Sequence, residues 1–168
     1  MAEKILEVTE LKKYFKTPHG LLHAVDGVSF SVDAGKTLGV VGESGCGKST
    51  LGRVILRLLP ATSGSVLFDG NNVLRCSRKS MQALRKHMQM IFQDPYESID
   101  PRMSIGELIA EPLVVNKLCR GAELDKKIRE LMDTVGLASR LINSYPHELD
   151  GGRRQRIGIA RALAVSPK

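Results

Sequence analysis

The sequence has no tryptophan, and aromatic residues make up only 4% of its 168 positions. That is too few for the interleaved aromatic and basic surface on which single-stranded nucleic acid stacks. Cysteine is scarce as well: Cys46, Cys76 and Cys119 are odd in number, far apart, and lack CxxC or His spacing. Neither a disulfide framework nor a structural zinc site is suggested, and a reducing compartment fits. Apolar stretches such as 38–42 and 113–115 fall far short of the roughly 20 residues of a membrane span. The N-terminus, MAEKILEVTE, alternates acidic and basic residues where a secretory signal needs a basic start and an apolar core. The expected location is the cytoplasm. No linker rich in Gly, Pro or Ser, no low-complexity segment and no internal repeat divides the chain.

What is present is a globular balance of 42% hydrophobic and 26% charged residues, with length for one compact domain. The formal net charge of +7 is spread over the chain, with a local cluster at Arg153, Arg154 and Arg156. Charge alone permits nucleic acid, an anionic surface or simple solubility. With no aromatics among those arginines, nucleic acid is not the expected partner.

Up to Asp94 the texture predicts strands at 5–8, 22–32 with a turn or bulge at Asp26-Gly27, 37–41, 65–68 and 88–92. A helix from 48 to about 59 interrupts them, with Leu51, Val54, Ile55 and Leu58 at helical spacing and Pro60 as its stop. Beyond Asp94 the spacing predicts helices at 105–113, 122–135 and 151–165, with a short turn at 137–142. The expectation is a sheet that holds a site and a helical subdomain beside it.

Gly42-Glu43-Ser44-Gly45-Cys46-Gly47-Lys48-Ser49 spells GxxxxGKS between the apolar run LGVV and a helical pattern, the context a phosphate-binding loop requires. Gly42, Gly45 and Gly47 free the backbone to approach phosphates, so that successive N–H groups of the loop, Glu43 and Ser44 included, form an anion nest. The start of the following helix adds partial positive charge, and Lys48 adds a full cation for the β and γ phosphates of a nucleotide. Ser49 is placed as a Mg²⁺ ligand and Thr50 as an α-phosphate contact. Cys46 has no base beside it in sequence and reads as a small space-filler.

The loop alone would serve many nucleotide enzymes. The run Glu148-Leu149-Asp150-Gly151-Gly152-Arg153-Arg154-Gln155-Arg156, continuing IGIARAL, resembles the LSGGQ signature and QRxxIARAL helix of ATP-binding subunits of ABC transporters. The resemblance covers essentially the whole chain. It implies an α/β fold of the P-loop NTPase class, an ABC-type nucleotide-binding domain with a mixed β-sheet core and a helical subdomain. The implied division is an ATP-binding core at 1–94, a Q-loop and helical subdomain at 95–150, and a signature helix at 151–168. The diglycine at Gly151 and Gly152, flanked by Leu149, Asp150 and Arg153, would meet the γ-phosphate of ATP held by a second ATP-binding subunit. Gln93, in MIFQDP, is similar to the Q-loop glutamine that touches Mg²⁺ and the attacking water. Phe15, preferred over Tyr14, sits where the family keeps an aromatic for adenine.

The stretch 93–103, QDPYESIDPRM, and SYPHEL at 144–149 are similar to subunits of dipeptide and oligopeptide importers. The implied cargo is peptide, delivered by a peptide-binding protein to integral membrane permease subunits, with this chain on the cytoplasmic face of the cell membrane. A non-transport ABC ATPase acting on nucleic acid, or an inactive truncated nucleotide-binding fragment, is the alternative. Two departures stand out. The signature Ser is Asp150 and its Gln is Arg153. Asp caps a helix about as well as Ser, but a carboxylate about 4 Å from a phosphate charge is opposed by about 4 kcal/mol at an effective dielectric of about 20. The expected assembly is therefore a heterodimer with unequal sites. The sequence also stops at Lys168, where the family continues into the Walker B strand. The expected domain is thus incomplete at its C-terminus, and hydrolysis by this chain alone is not expected. His19, His23, His87 and His147 do not occupy the switch position and read as surface or structural residues.

Overall fold

The computed structural model describes residues 3–94 and 98–168. They form two compact units that divide between Arg85 and Lys86.

The first unit is built on a hairpin of β1 (Lys4–Thr17) and β2 (Gly20–Asp33). Pro18 and His19 make its turn, tightened by the Thr17 hydroxyl donating to Gly20 O at 2.8 Å. Four register shifts interrupt the ladder, two of them in its middle. Thr9 and Glu10 face Ser29 alone, and Asp26-Gly27 faces Lys12, the latter where the sequence predicts a turn or bulge. At the first bulge, Ser29 Oγ accepts from Glu10 N at 2.8 Å and donates to Glu10 Oε1 at 3.1 Å, which holds Glu10 at φ 46°. Further along, β3 (Ser63–Phe68) pairs antiparallel with β1, and the short β4 (Asn71–Asn72) completes the order β2-β1-β3-β4. Every ladder in this sheet is antiparallel.

One face of β1 buries Val8 and Leu11 with Val25 of β2 and Val66 of β3. Helix α1 (Lys48–Ile55) packs on β1 and β2 and buries Leu51 and Val54, the i, i+3 pair that the spacing predicts. It stops before residue 59. Arg57 turns left-handed at φ 51° while its Nη1 donates to Val73 O at 3.2 Å and Cys76 O at 2.8 Å. A tertiary anchor thus ends the helix ahead of Pro60, leaving Leu58 47% exposed. Helix α2 (Arg78–His87) has no counterpart in the sequence expectation. Its Ser77 hydroxyl accepts from Ser80 N, and Met81 and Leu84 are buried, a capped amphipathic signal diluted by five flanking basic side chains.

The expected strands 37–41 and 88–92 form no ladder among the described residues. An apolar run such as LGVV is the pattern of a strand covered on both faces and paired on both sides. Without a partner to take its N–H and C=O groups it makes no sheet, and Val41 is 92% exposed.

In the second unit α3 (Ile105–Val115), α4 (Ala122–Thr134) and α5 (Gly151–Leu163) pack pairwise around Ile105, Ile109, Met132, Ile157 and Ala160, all fully buried. The start of α3 is doubly secured. Ser104 and Glu107 form a reciprocal capping box, and Ile105 N and Gly106 N donate to Ser144 O and Ile142 O at 2.9 and 2.8 Å. A Cβ on Gly106 would lie 2.8 Å from Ile142 Cγ1, so glycine is what allows this approach. Arg156 of α5 caps the other end of α4, donating to Val135 O and Gly136 O at 3.2 and 2.9 Å.

Candidate functional site

The glycine loop runs from residue 42 into α1. Gly45 and Gly47 both take φ 80°, the left-handed region closed to most side chains. At Gly47 the requirement is also steric, because an added Cβ would sit 1.8 Å from Ala24 O of β2. At Gly42 the Cβ would meet Cys46 Sγ at 2.7 Å. Cys46, read in the sequence as a space-filler, is exposed, and its sulfur lies against Gly42. The ammonium of Lys48 is folded over the loop and donates to Gly42 O at 2.9 Å and Glu43 O at 2.8 Å. Two neutral carbonyls hold it without neutralising it, so it can exchange them for anionic oxygens. Ser49 is exposed on the first helical turn and Thr50 follows it. A cavity of about 370 Å³ is lined by Ala24, Val25 and Asp26 of β2 and by Cys46, Gly47 and Lys48.

Among the described residues no cluster of three His, Cys, Asp or Glu could hold a metal ion. Ser49 offers one exposed hydroxyl, a donor suited to a Mg²⁺ whose other ligands are phosphate oxygens and water.

Phe15 is half-buried near the end of β1, opposite Leu22, with Lys13 Nζ 4.7 Å from its ring centroid. Lys13 is itself buried, so cation and ring share the inward face. Tyr14 points the other way. Its ring stacks on His23 with centroids 3.9 Å apart, and its hydroxyl donates to Asp26 Oδ1 at 2.5 Å. That bond, first among the causes, lowers the Asp26 carboxyl and raises the Tyr14 phenol from their ordinary values. This Tyr14, His23, Asp26 and Lys12 cluster was not legible in sequence, because bulges set which residues of β1 and β2 face each other.

In the second unit Gln93 is exposed and follows Phe92. The stretch similar to peptide importers falls partly outside the described residues, at Pro95, Tyr96 and Glu97; beyond it Asp100 forms a fork with Arg102, accepting from Nε at 3.0 Å and Nη2 at 2.7 Å. The hydrogen bonds from Arg102 hold the Asp100 carboxyl down to about 2. Leu149 is buried in the helical core. Asp150 caps α5, its Oδ1 accepting from Arg153 N at 2.8 Å, and Arg153 Nε lies 3.4 Å from Oδ2. Gly151 and Gly152 are exposed at the helix start, and a Cβ on Gly151 would meet nothing within 4 Å. The two substituted signature residues are thus partners: the carboxylate caps the helix and the neighbouring guanidinium offsets its charge.

A second cavity, of about 400 Å³, is lined by Ile91, Phe92, Glu111, Gln155 and Arg161. Gln155 and Arg161 belong to the signature run, but neither has a role in the sequence reading.

A family model described as ABC transporter matches residues 25–168. The oligopeptide transport ATP-binding protein OppF of Bacillus subtilis strain 168 is 55% identical over 170 residues, covering 100% of this chain and 56% of that protein. The glutathione import ATP-binding protein GsiA of Pectobacterium atrosepticum is 47% identical over 174 residues, covering 99% of this chain and 28% of that protein. The chain thus spans little more than half the length of the curated OppF relative. Among solved structures, a dimeric post-hydrolysis ATP-binding cassette bound to ADP and Pi superposes with TM-score 0.88 at 27% identity, covering 96% of this chain and 70% of that one.

Proposed function

The chain belongs to the ABC transporter family, and from that premise we infer that it is nucleotide-binding sequence of an importer ATPase whose cargo is a peptide. The observation that carries this reading is the glycine loop at 42–50, coiled at the start of α1 with Lys48 folded over its carbonyls. In the proposed mechanism Lys48 leaves Gly42 O and Glu43 O for the β and γ phosphates of ATP, while the loop amides and the start of α1 take the remaining phosphate charge. Mg²⁺ supplies charge neutralisation across the phosphate oxygens when bound; Ser49 would hold it, with Gln93 as the second candidate. Phe15, half-buried beside Lys13, is the aromatic proposed for adenine, through the part of its ring that stays exposed. Gln93 orients the attacking water, and the start of α5 at Gly151 and Gly152 completes the site of a second, different ATP-binding subunit.

The 93–103 stretch and the similarity to the oligopeptide transport protein OppF support peptide as cargo. The remaining proposed partners are permease subunits, reached through the Gln93 region on the cytoplasmic face of the membrane, and a peptide-binding protein that delivers cargo. No helix among the described residues is long and apolar enough to cross a membrane. The nucleic-acid reading has little support in the geometry. Of the clustered arginines, Arg154 donates to Pro146 O at 2.7 Å, Arg156 caps α4 and Arg153 pairs with Asp150, so all three are engaged within the fold.

Calorimetric titration with Mg-ATP tests nucleotide binding. Binding that Lys48→Ala abolishes is expected; equal heats from both proteins would refute the assignment. Cargo is tested in the assembled transporter, where a binding protein loaded with peptide should stimulate ATP turnover and one loaded with nickel should not.

A further inference from the structure

Helix α5 grips the chain on both sides of Gln93. Gln155 Nε2 donates to Phe92 O at 3.2 Å, one residue before Gln93. Six residues along the helix, Arg161 Nη1 donates to Ser98 O, on the other side. Its Nη2 meets Glu111 Oε2 of α3 at 2.6 Å. Each of these two backbone bonds spans 63 residues, and all the groups lie within the second unit. Arg161 Nε is buried without a hydrogen-bond partner in the described structure. That loss works against the fold, so the fork's two other bonds must offset it. Glu111 fixes the guanidinium at a definite orientation, because a planar fork bonded on one edge presents the other edge in a set direction. The start of this same helix carries Gly151 and Gly152.

We propose that Gln155 and Arg161, with Glu111 behind Arg161, are positioning residues that tie the backbone flanking Gln93 to the signature helix. The spacing between Gln93 and the diglycine is then set by one rigid element, and a displacement of either is passed to the other. The inference rests on the role given above to Gln93. A helix is a good carrier for this purpose, since its own ladder resists bending and both grips lie on a single rod.

The test uses the assembled transporter, with ATP turnover, nucleotide affinity and unfolding midpoint measured for Gln93→Ala, Gln155→Met, Arg161→Lys and the doubles that combine either of the last two with Gln93→Ala. Gln155→Met keeps the side-chain length and removes the donor; Arg161→Lys keeps the charge beside Glu111 but cannot span two acceptors. Each single substitution should lower kcat about ten- to a hundredfold, the cost of misplacing a reacting group by about an ångström, with nucleotide affinity unchanged within about twofold. Added to Gln93→Ala, neither should lower turnover further. Full turnover in both Gln155→Met and Arg161→Lys overturns the proposal, as do losses that multiply with Gln93→Ala, which would mark a general packing role. If Gln93→Ala itself leaves turnover intact, the role of Gln93 fails, and the positioning proposal falls with it. Should Arg161→Lys lower the unfolding midpoint, Gln155→Met decides alone.

Discussion

Gly45 and Gly47 share a φ of 80° but not their surroundings, and that contrast separates two reasons for glycine in a phosphate loop. An alanine at Gly45 would meet nothing within 4 Å. Its penalty is only the left-handed backbone of an L-residue, about 1–2 kcal/mol, equivalent to a factor of roughly 5–30. At Gly47 the same penalty applies, and the new Cβ would stand 1.8 Å from Ala24 O. That oxygen belongs to the backbone of β2, so no rotamer change relieves the clash. Either β2 or the loop must retreat by well over an ångström to reach ordinary contact. Such overpacking adds about 1–3 kcal/mol, bringing Gly47→Ala to about 2–5 kcal/mol, or roughly 30- to several thousandfold at about 1.4 kcal/mol per decade. The loss can fall on nucleotide affinity or on the fold, so Mg-ATP calorimetry and urea unfolding are both required. Gly47→Ala should exceed Gly45→Ala by about fivefold or more in their combined effect. Equal effects in both assays would show that the approach of Gly47 to β2 has no energetic consequence.

Asp150→Ala removes the cap on Arg153 N and should cost about 1 kcal/mol in urea unfolding, whereas Asp150→Ser should cost less than half of that. Ile157→Ala, at a fully buried position, should destabilise the second unit by about 2–5 kcal/mol, read as a lower unfolding midpoint. The Asp100 carboxyl, held by Arg102 at about 2 against an ordinary 3.8, should titrate there by NMR. Because the folded form has the lower value, its stabilising contribution is complete above about pH 4 and disappears as the pH falls towards 2; Arg102→Ala should return the titration towards 3.8. Cys46, exposed and packed against Gly42, should react with a thiol reagent and be shielded by Mg-ATP; undiminished labelling would contradict phosphate binding by the loop.

What the sequence determined by itself is the chemistry that depends on a few consecutive residues. The glycines at 45 and 47 answer to φ, Lys48 to its place at the start of α1, and Asp150 to the reach of a cap three residues ahead. Each is a short-range geometric demand, and so it leaves a fixed spacing in the chain. The tertiary structure alone decided the rest. Arg57 ended α1 early by bonding carbonyls 16 and 19 residues away, bulges turned Tyr14 towards His23 and Phe15 towards Lys13, and α5 took hold of Phe92 and Ser98 across 63 residues. The apolar run at 37–41 shows the same limit, since its pattern announces a strand but a ladder exists only where another segment supplies the opposite hydrogen bonds. Contacts of that kind follow from which surfaces the folded chain brings together, and no periodicity along the sequence encodes them.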